Sequence, residues 1–248
     1  MKPTNCSGAI TESRGFTRKF NNMKKIIPTL VAALALPAFG ANYSVVPNWA
    51  KVPTGEKQIG NMHGDVAVSS KGEVYVSVQG GPKAGVQVYS AKGEYLHNVP
   101  GAPKDFHGFV IRKLDDGEHI YGPRLGGQNI LKLTLEGKVK LNIPASAIPN
   151  EHKNGNRVRL TAMDVAPNGD LFVVDGYSSD KIHHFDKAGK YVKSFGGKGK
   201  GGFGTKTLHK ICIDTRYDPA RILGADREGL RLIHVSLDGK FLGVYAKD

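Results

Sequence analysis

The side chains best placed for acid–base or ligand chemistry in this sequence are a few imidazoles, one phenol and one guanidinium. They stand at comparable points of a recurring pattern. His107, in Phe106-His107-Gly108, and His209, in Leu208-His209-Lys210-Ile211, each head an apolar run. His63, in His63-Gly64-Asp65, heads another, one place off the His107 register. Tyr177 follows Asp175-Gly176, and Arg227 lies between Asp226 and Glu228. Each has an ordinary structural reading as well. A histidine at the start of a strand caps backbone groups, Tyr177 reads as a turn aromatic, and Arg227 pairs with Glu228. Asp175 and Asp226 read as carboxylates that bond turn amides. His183 and His184 are adjacent, so in a strand they face opposite sides and read as packing residues. His97, His119, His152 and His234 read as turn or surface residues.

Several other chemistries are excluded by pattern. The sequence holds no GxSxG elbow, no P-loop and no HExxH pair, and its GxGxxG spacing within 197–204 opens no helix. Ser69-Ser70 and Ser178-Ser179 lie in turns without a base at recognisable spacing. The glycines of 196–204 lack the helix start that a phosphate cradle requires. That stretch reads as a flexible crossover, as does the polar stretch 144–158.

The elements that must position these residues come from a repeat. Four segments end on one turn and strand: Ala91-Lys92-Gly93-Glu94-Tyr95, Leu135-Glu136-Gly137-Lys138-Val139, Lys187-Ala188-Gly189-Lys190-Tyr191 and Leu237-Asp238-Gly239-Lys240-Phe241. Their glycines are 44, 52 and 50 residues apart, a period to be sought before any single element is assigned. Upstream of each lies an earlier hairpin, at 65–76, 108–121, 163–174 and 210–225. Lys71-Gly72 and Asn168-Gly169 sit between alternating apolar runs, and Asn-Gly is a strong hairpin signal. Each unit therefore predicts four short strands; in the third they are 162–166, 171–174, 181–185 and 191–195. A sheet this small cannot bury both faces alone, whereas radial stacking of such sheets buries them and leaves short edges. The predicted fold is an all-β propeller with four four-stranded blades over 60–248, preceded by a segment over 41–59.

Composition agrees with an exported, turn-rich protein. The chain has 248 residues, 32 of them glycine, with 40% hydrophobic and 23% charged. Met23-Lys24-Lys25, an apolar run over 26–36 and Ala38-Phe39-Gly40 follow the order of a secretory signal peptide. The run is too short for a permanent membrane span. Cleavage after Gly40 is expected, with 1–40 as leader, Met23 as the true start, and release to the periplasm or beyond. Without 1–40 the net charge falls from +13 to +8, from 29 basic and 21 acidic residues. That excess is scattered and lacks interleaved aromatics, which argues against a nucleic-acid partner. Only Cys212 remains after the leader. It permits no internal disulfide and reads as a small buried hydrophobe.

The stretch 163–199, then Leu208-His209-Lys210-Ile211-Cys212-Ile213-Asp214 and Ala225-Asp226-Arg227-Glu228, resembles the NHL-repeat propellers. That family includes peptidyl-α-hydroxyglycine α-amidating lyase and exported bacterial relatives. The most specific elements are the Asp175-Gly176-Tyr177 turn, His209 before an inner strand, and Asp226-Arg227-Glu228 one hairpin later. The likeness is densest over 160–245 and weaker over 60–145. It implies a six-bladed ring, so about two blades beyond these four, and an open arc in the chain as it stands. It implies axial zinc held by histidines; calcium, outside that resemblance, is a second candidate cation. It also implies a tyrosine base, arginines for a substrate carboxylate, and cleavage of an α-hydroxyglycine to an amide and glyoxylate. Carried over singly, His107 and His209 match metal-ligand positions, Tyr177 the base and Arg227 an active-site arginine; His63 is the further candidate ligand. The family's third ligand lies in a later blade that these four repeats do not include. Neutral imidazole suits zinc with one coordination position left open, and tyrosine, with a pKa near 10, needs a neighbouring cation to act as a base. The expected partner is a small molecule or peptide. The other reading is a non-catalytic propeller that binds a peptide, glycan or protein on its loop face.

Overall fold

The computed structural model describes residues 43–155, 157–199 and 202–247. The leader over 1–40 lies outside them. A short N-terminal unit ends at Val45, its described residues free of regular structure, and all strands belong to the unit that begins at Val46. Among the described residues no helix is long and apolar enough to cross a membrane.

Four sheets follow one another along the chain, each a meander of consecutive strands. Blade 1 holds β1 (Val66–Val68), β2 (Val74–Val78), β3 (Gly85–Tyr89) and β4 (Tyr95–Asn98). Blade 2 holds β5 (Val110–Leu114), β6 (Gly117–Pro123), β7 (Asn129–Thr134) and β8 (Val139–Pro144). Blade 3 holds β9 (Ala162–Val165), β10 (Leu171–Val174), β11 (Lys181–Phe185) and β12 (Tyr191–Lys198), with the short β13 (Gly204–Thr205) added parallel to β12. Blade 4 holds β14 (Leu208–Asp214), β15 (Arg221–Asp226), β16 (Arg231–Ser236) and β17 (Phe241–Lys247).

The repeated glycine has one cause in all four blades. Gly93, Gly137, Gly189 and Gly239 have φ of 82°, 87°, 84° and 91°, a region that side chains with a Cβ rarely adopt. Each donates its amide to the carbonyl three residues back at 2.9 Å, closing the turn into the outer strand.

Stacking buries both faces of the sheets. In β10 the strand alternation sends Leu171 and Val173 into the apolar cluster with blade 2, and Phe172 and Val174 into the cluster with blade 4. A third cluster joins blades 1 and 2 through Tyr75, Val86 and Val88 against Phe109, Ile111 and Ile120. Each fully buried aliphatic or phenyl side chain contributes about 1.5–3 kcal/mol, so these joints carry the fold. The other face of blade 1 is partly covered by Trp49, Ala50 and Ile59 from the preceding segment. No apolar cluster among the described residues joins blade 4 to blade 1.

Several expectations are corrected. The stretch 196–204 is not only a crossover: β12 continues through Gly196 and Gly197 to Lys198, and its end pairs with β13. The stretch 144–158 includes two 3-10 turns, Ala145–Ala147 and Asn150–His152, and sends Ile148 and Val158 into the core. His119 and His234 are buried strand residues, because the alternation of β6 and β16 turns them onto sheet faces beside Tyr121 and Tyr217. Cys212 is only half-buried: Ile211 and Ile213 take the core face of β14 and leave it on the opposite one.

Candidate functional site

Inner strands β5, β9 and β14 begin close together, and local backbone features aim side chains between them. Gly108 follows His107 because nothing larger fits, since a Cβ there would lie 2.5 Å from the Thr161 carbonyl oxygen. This approach lets His107 Nδ1 donate to that same oxygen at 2.9 Å. The bond assigns the tautomer and leaves Nε2 with its lone pair. His209 sits at an irregularity in β14, where the pairing with β15 shifts between Leu208 and Lys210. Such a shift re-aims a side chain out of the regular ladder.

Tyr177 is held by the turn that carries it. The buried carboxylate of Asp175 accepts from the amides of Arg159 and Ser179 and from the Ser179 hydroxyl. Burial nevertheless pushes Asp175 above the usual carboxylate range, against those bonds. A Cβ on Gly176 would lie 2.1 Å from the Leu208 carbonyl oxygen, so the turn presses directly onto the start of β14.

These placements converge on the Tyr177 hydroxyl. It donates to His107 Nε2 at 3.1 Å and accepts from His209 Nε2 at 2.9 Å, a polarity dictated by the His107 tautomer. Arg227 Nη1 donates to the same oxygen at 3.4 Å while its Nε bonds Glu228 at 2.9 Å. Both bonds hold the Arg227 guanidinium in its charged form, the tyrosine contact most strongly. The His107 and His209 rings are 4.9 Å apart between centroids, and His63, on an exposed loop, is 5.2 Å from His107. The five residues singled out in the sequence therefore occupy one constellation.

Both imidazoles are held neutral at physiological pH. Burial lowers His107, against its bond to Thr161. Burial, and then the neighbouring His107 and Arg227, pushes His209 down to about 4. Neutral nitrogens are what a transition metal needs, and an Nδ1 committed to a carbonyl is the usual outer arrangement of a ligating histidine. By donor chemistry the set fits zinc. Among the described residues, though, no group of three or more His, Cys, Asp or Glu is already gathered as a metal-binding set.

A cavity of about 420 Å³ opens on the histidine side of this cluster, bounded by His63, Asp65, His107, Thr161, His209 and Lys210, and Tyr177 and Arg159 line a second one of about 340 Å³. Sequence reasoning missed Arg159, whose guanidinium carbon is 5.6 Å from the Tyr177 ring centroid, the same distance as that of Arg227. It also missed Asp65 and Lys210, which form an ion pair at the cavity. Their signal was present: each lies within two positions of a histidine that heads a strand. Arg159 gave none, because it ends a crossover with no pattern of its own.

No protein-family profile matches the chain, and no curated protein does. Comparison with solved structures finds propellers. Virginiamycin B lyase from Staphylococcus aureus superposes with a TM-score of 0.51 at 15% identity, over 75% of this chain and 56% of that one. A gluconolactonase from Xanthomonas campestris gives 0.50 at 13%, over 73% and 61%. Hydrazine synthase from Kuenenia stuttgartiensis gives 0.51 at 12%, over 81% and 53%. The chain thus spans little more than half the length of these proteins. At such identities the likeness shows the fold alone, an all-β propeller of four-stranded blades.

Proposed function

We propose that this chain is an exported propeller lyase of the NHL type, acting at the axial cavity on a small substrate with the help of bound zinc. The observation that carries the reading is the Tyr177 hydroxyl, bonded at once to His107, His209 and Arg227. The substrate class follows from the resemblance to the amidating lyases: a peptide ending in α-hydroxyglycine. His107 and His209, joined by His63, would hold the metal, which when bound polarises a substrate oxygen.

The chain's own residues account for the proton and the charge. Tyr177 accepts the proton of the substrate α-hydroxyl as it hands its own to His107 Nε2, to which it already donates, and Arg227 and Arg159 flank its ring. The same two cations pair with the substrate carboxylate, since guanidinium matches carboxylate geometry. As the Cα–N bond breaks, the hydroxyl carbon becomes the aldehyde of glyoxylate and the amide nitrogen takes that proton from Tyr177, which recovers its own from His107.

The test is elemental analysis of the purified protein together with glyoxylate release from a peptidyl-α-hydroxyglycine. About one zinc per chain and release above background are expected, with both lost in folded His107→Ala and His209→Ala variants. Folded protein without zinc and without release rejects the lyase reading and leaves a binding propeller. Export is tested apart: the secreted protein should begin near Ala41 or Asn42, and an intact N-terminus in the cytoplasm refutes it.

A further inference from the structure

We propose that the Asp65–Lys210 ion pair is a positioning device that holds His63 against His107 and His209 and so completes the axial site; this rests on the metal-site reading above. Apolar clusters join blades 1 to 2, 2 to 3 and 3 to 4. Between blade 4 and blade 1 the described residues show instead this charged contact, made across 145 positions of sequence. Asp65 Oδ2 also accepts from the Phe109 amide at 3.3 Å, and its backbone carbonyl accepts from Ser77 at 3.0 Å. One residue thereby fastens the heads of blades 1, 2 and 4.

The loop that carries His63 is tethered on both sides. Upstream, Asn61 pairs with Gly80 through a backbone bond of 2.8 Å. Downstream, the tether is Asp65. Between them Gly64 lies wedged on β2, where a Cβ would come within 2.6 Å of the Ser77 side chain. His63 is itself exposed, so its place 5.2 Å from His107 depends on these tethers. The pair is partly buried, with Lys210 37% and Asp65 25% exposed. Removing one member leaves the other charge poorly compensated and frees the loop.

The experiment measures zinc affinity of the full chain by chelator competition, and the His63–His107 ring contact by NMR without metal. Asp65→Asn is expected to weaken zinc about 10–100-fold, as outer-shell changes do, and to abolish the ring contact. Because the pair acts through His63, Asp65→Asn/His63→Ala should bind no more weakly than His63→Ala alone, and Lys210→Arg should stay near wild type. Losses that multiply in the double variant, or a ring contact that survives in folded Asp65→Asn, overturn the proposal. If Asp65→Asn fails to fold, the reversed pair Asp65→Lys/Lys210→Asp decides: a restored ring contact supports it, and a folded protein lacking the contact refutes it. A wild type that shows the contact, loses it in Asp65→Asn and binds no zinc rejects the metal site while supporting the pair.

Discussion

Asp164 should be a costly carboxylate to remove. It lies in β9 and is fully buried. Its Oδ2 accepts from the Ile213 amide at 2.7 Å in blade 4 and from Arg112 at 2.8 Å in blade 2, and Oδ1 accepts from the Val165 amide at 2.7 Å. Asp164→Ala orphans two amides at about 1–3 kcal/mol each. The Arg112 side chain is 39% exposed, so solvent screening limits that ion pair to less than about 1 kcal/mol. The sum is about 4 kcal/mol, and at about 2–4 °C per kcal/mol for a chain of this size the melting temperature should fall by about 8–16 °C. Asp164→Asn, which keeps one oxygen, should lose about half as much. The readout is far-UV circular dichroism on heating, with Asp116→Ala as the control: its carboxylate is 54% exposed and bonds Lys132, so its loss should stay within about 1 kcal/mol. An Asp164→Ala protein that melts within about 3 °C of wild type, or no lower than the control, refutes the reasoning.

Other outcomes are as specific. Tyr177→Phe should keep its zinc yet lose at least about 100-fold in kcat/KM for glyoxylate release; activity within a few-fold of wild type would remove tyrosine from the reaction. Burial, and then the charges of His152, Lys181 and Lys153, push His183 down to about 3 from 6.5. Since its folded pKa lies below the unfolded one, the unfolded chain takes the extra proton, and stability falls as pH drops from 6.5 toward 3. One such group contributes a slope of about 1.4 kcal/mol per pH unit, which His183→Gln should remove from urea unfolding measured between about pH 6 and 4; an unchanged slope counts against it. Gly176→Ala should push β14 from the Tyr177 turn and cost about 1–3 kcal/mol, and a crystal structure with Tyr177 and His209 unmoved would contradict that.

The blades were legible in the sequence because their cause is local. The turn that Gly93, Gly137, Gly189 and Gly239 close needs a left-handed residue at one point, and the alternation in runs such as Leu171-Phe172-Val173-Val174 needs burial on two sides. Three strand ranges of the third blade agree with expectation to within a residue, and β12 runs longer because Gly196 to Lys198 stay in the ladder. The histidines, Tyr177 and Arg227 were visible as residues at the heads and turns of those strands. What they meet was not visible, because it is set by how closely inner strands approach. Gly108 against the Thr161 carbonyl and Gly176 against Leu208 fix that approach, and through it the His107 tautomer and the place of the Tyr177 hydroxyl. His119 and His234 were misread for the same reason: a polar residue in a strand gives no sign of whether a neighbouring sheet or water lies beyond it. Local backbone preference and period specify a repeated blade. Only the packing of one blade on the next decides which polar atoms face each other across the axis, as Asp65 and Lys210 do over 145 residues of chain.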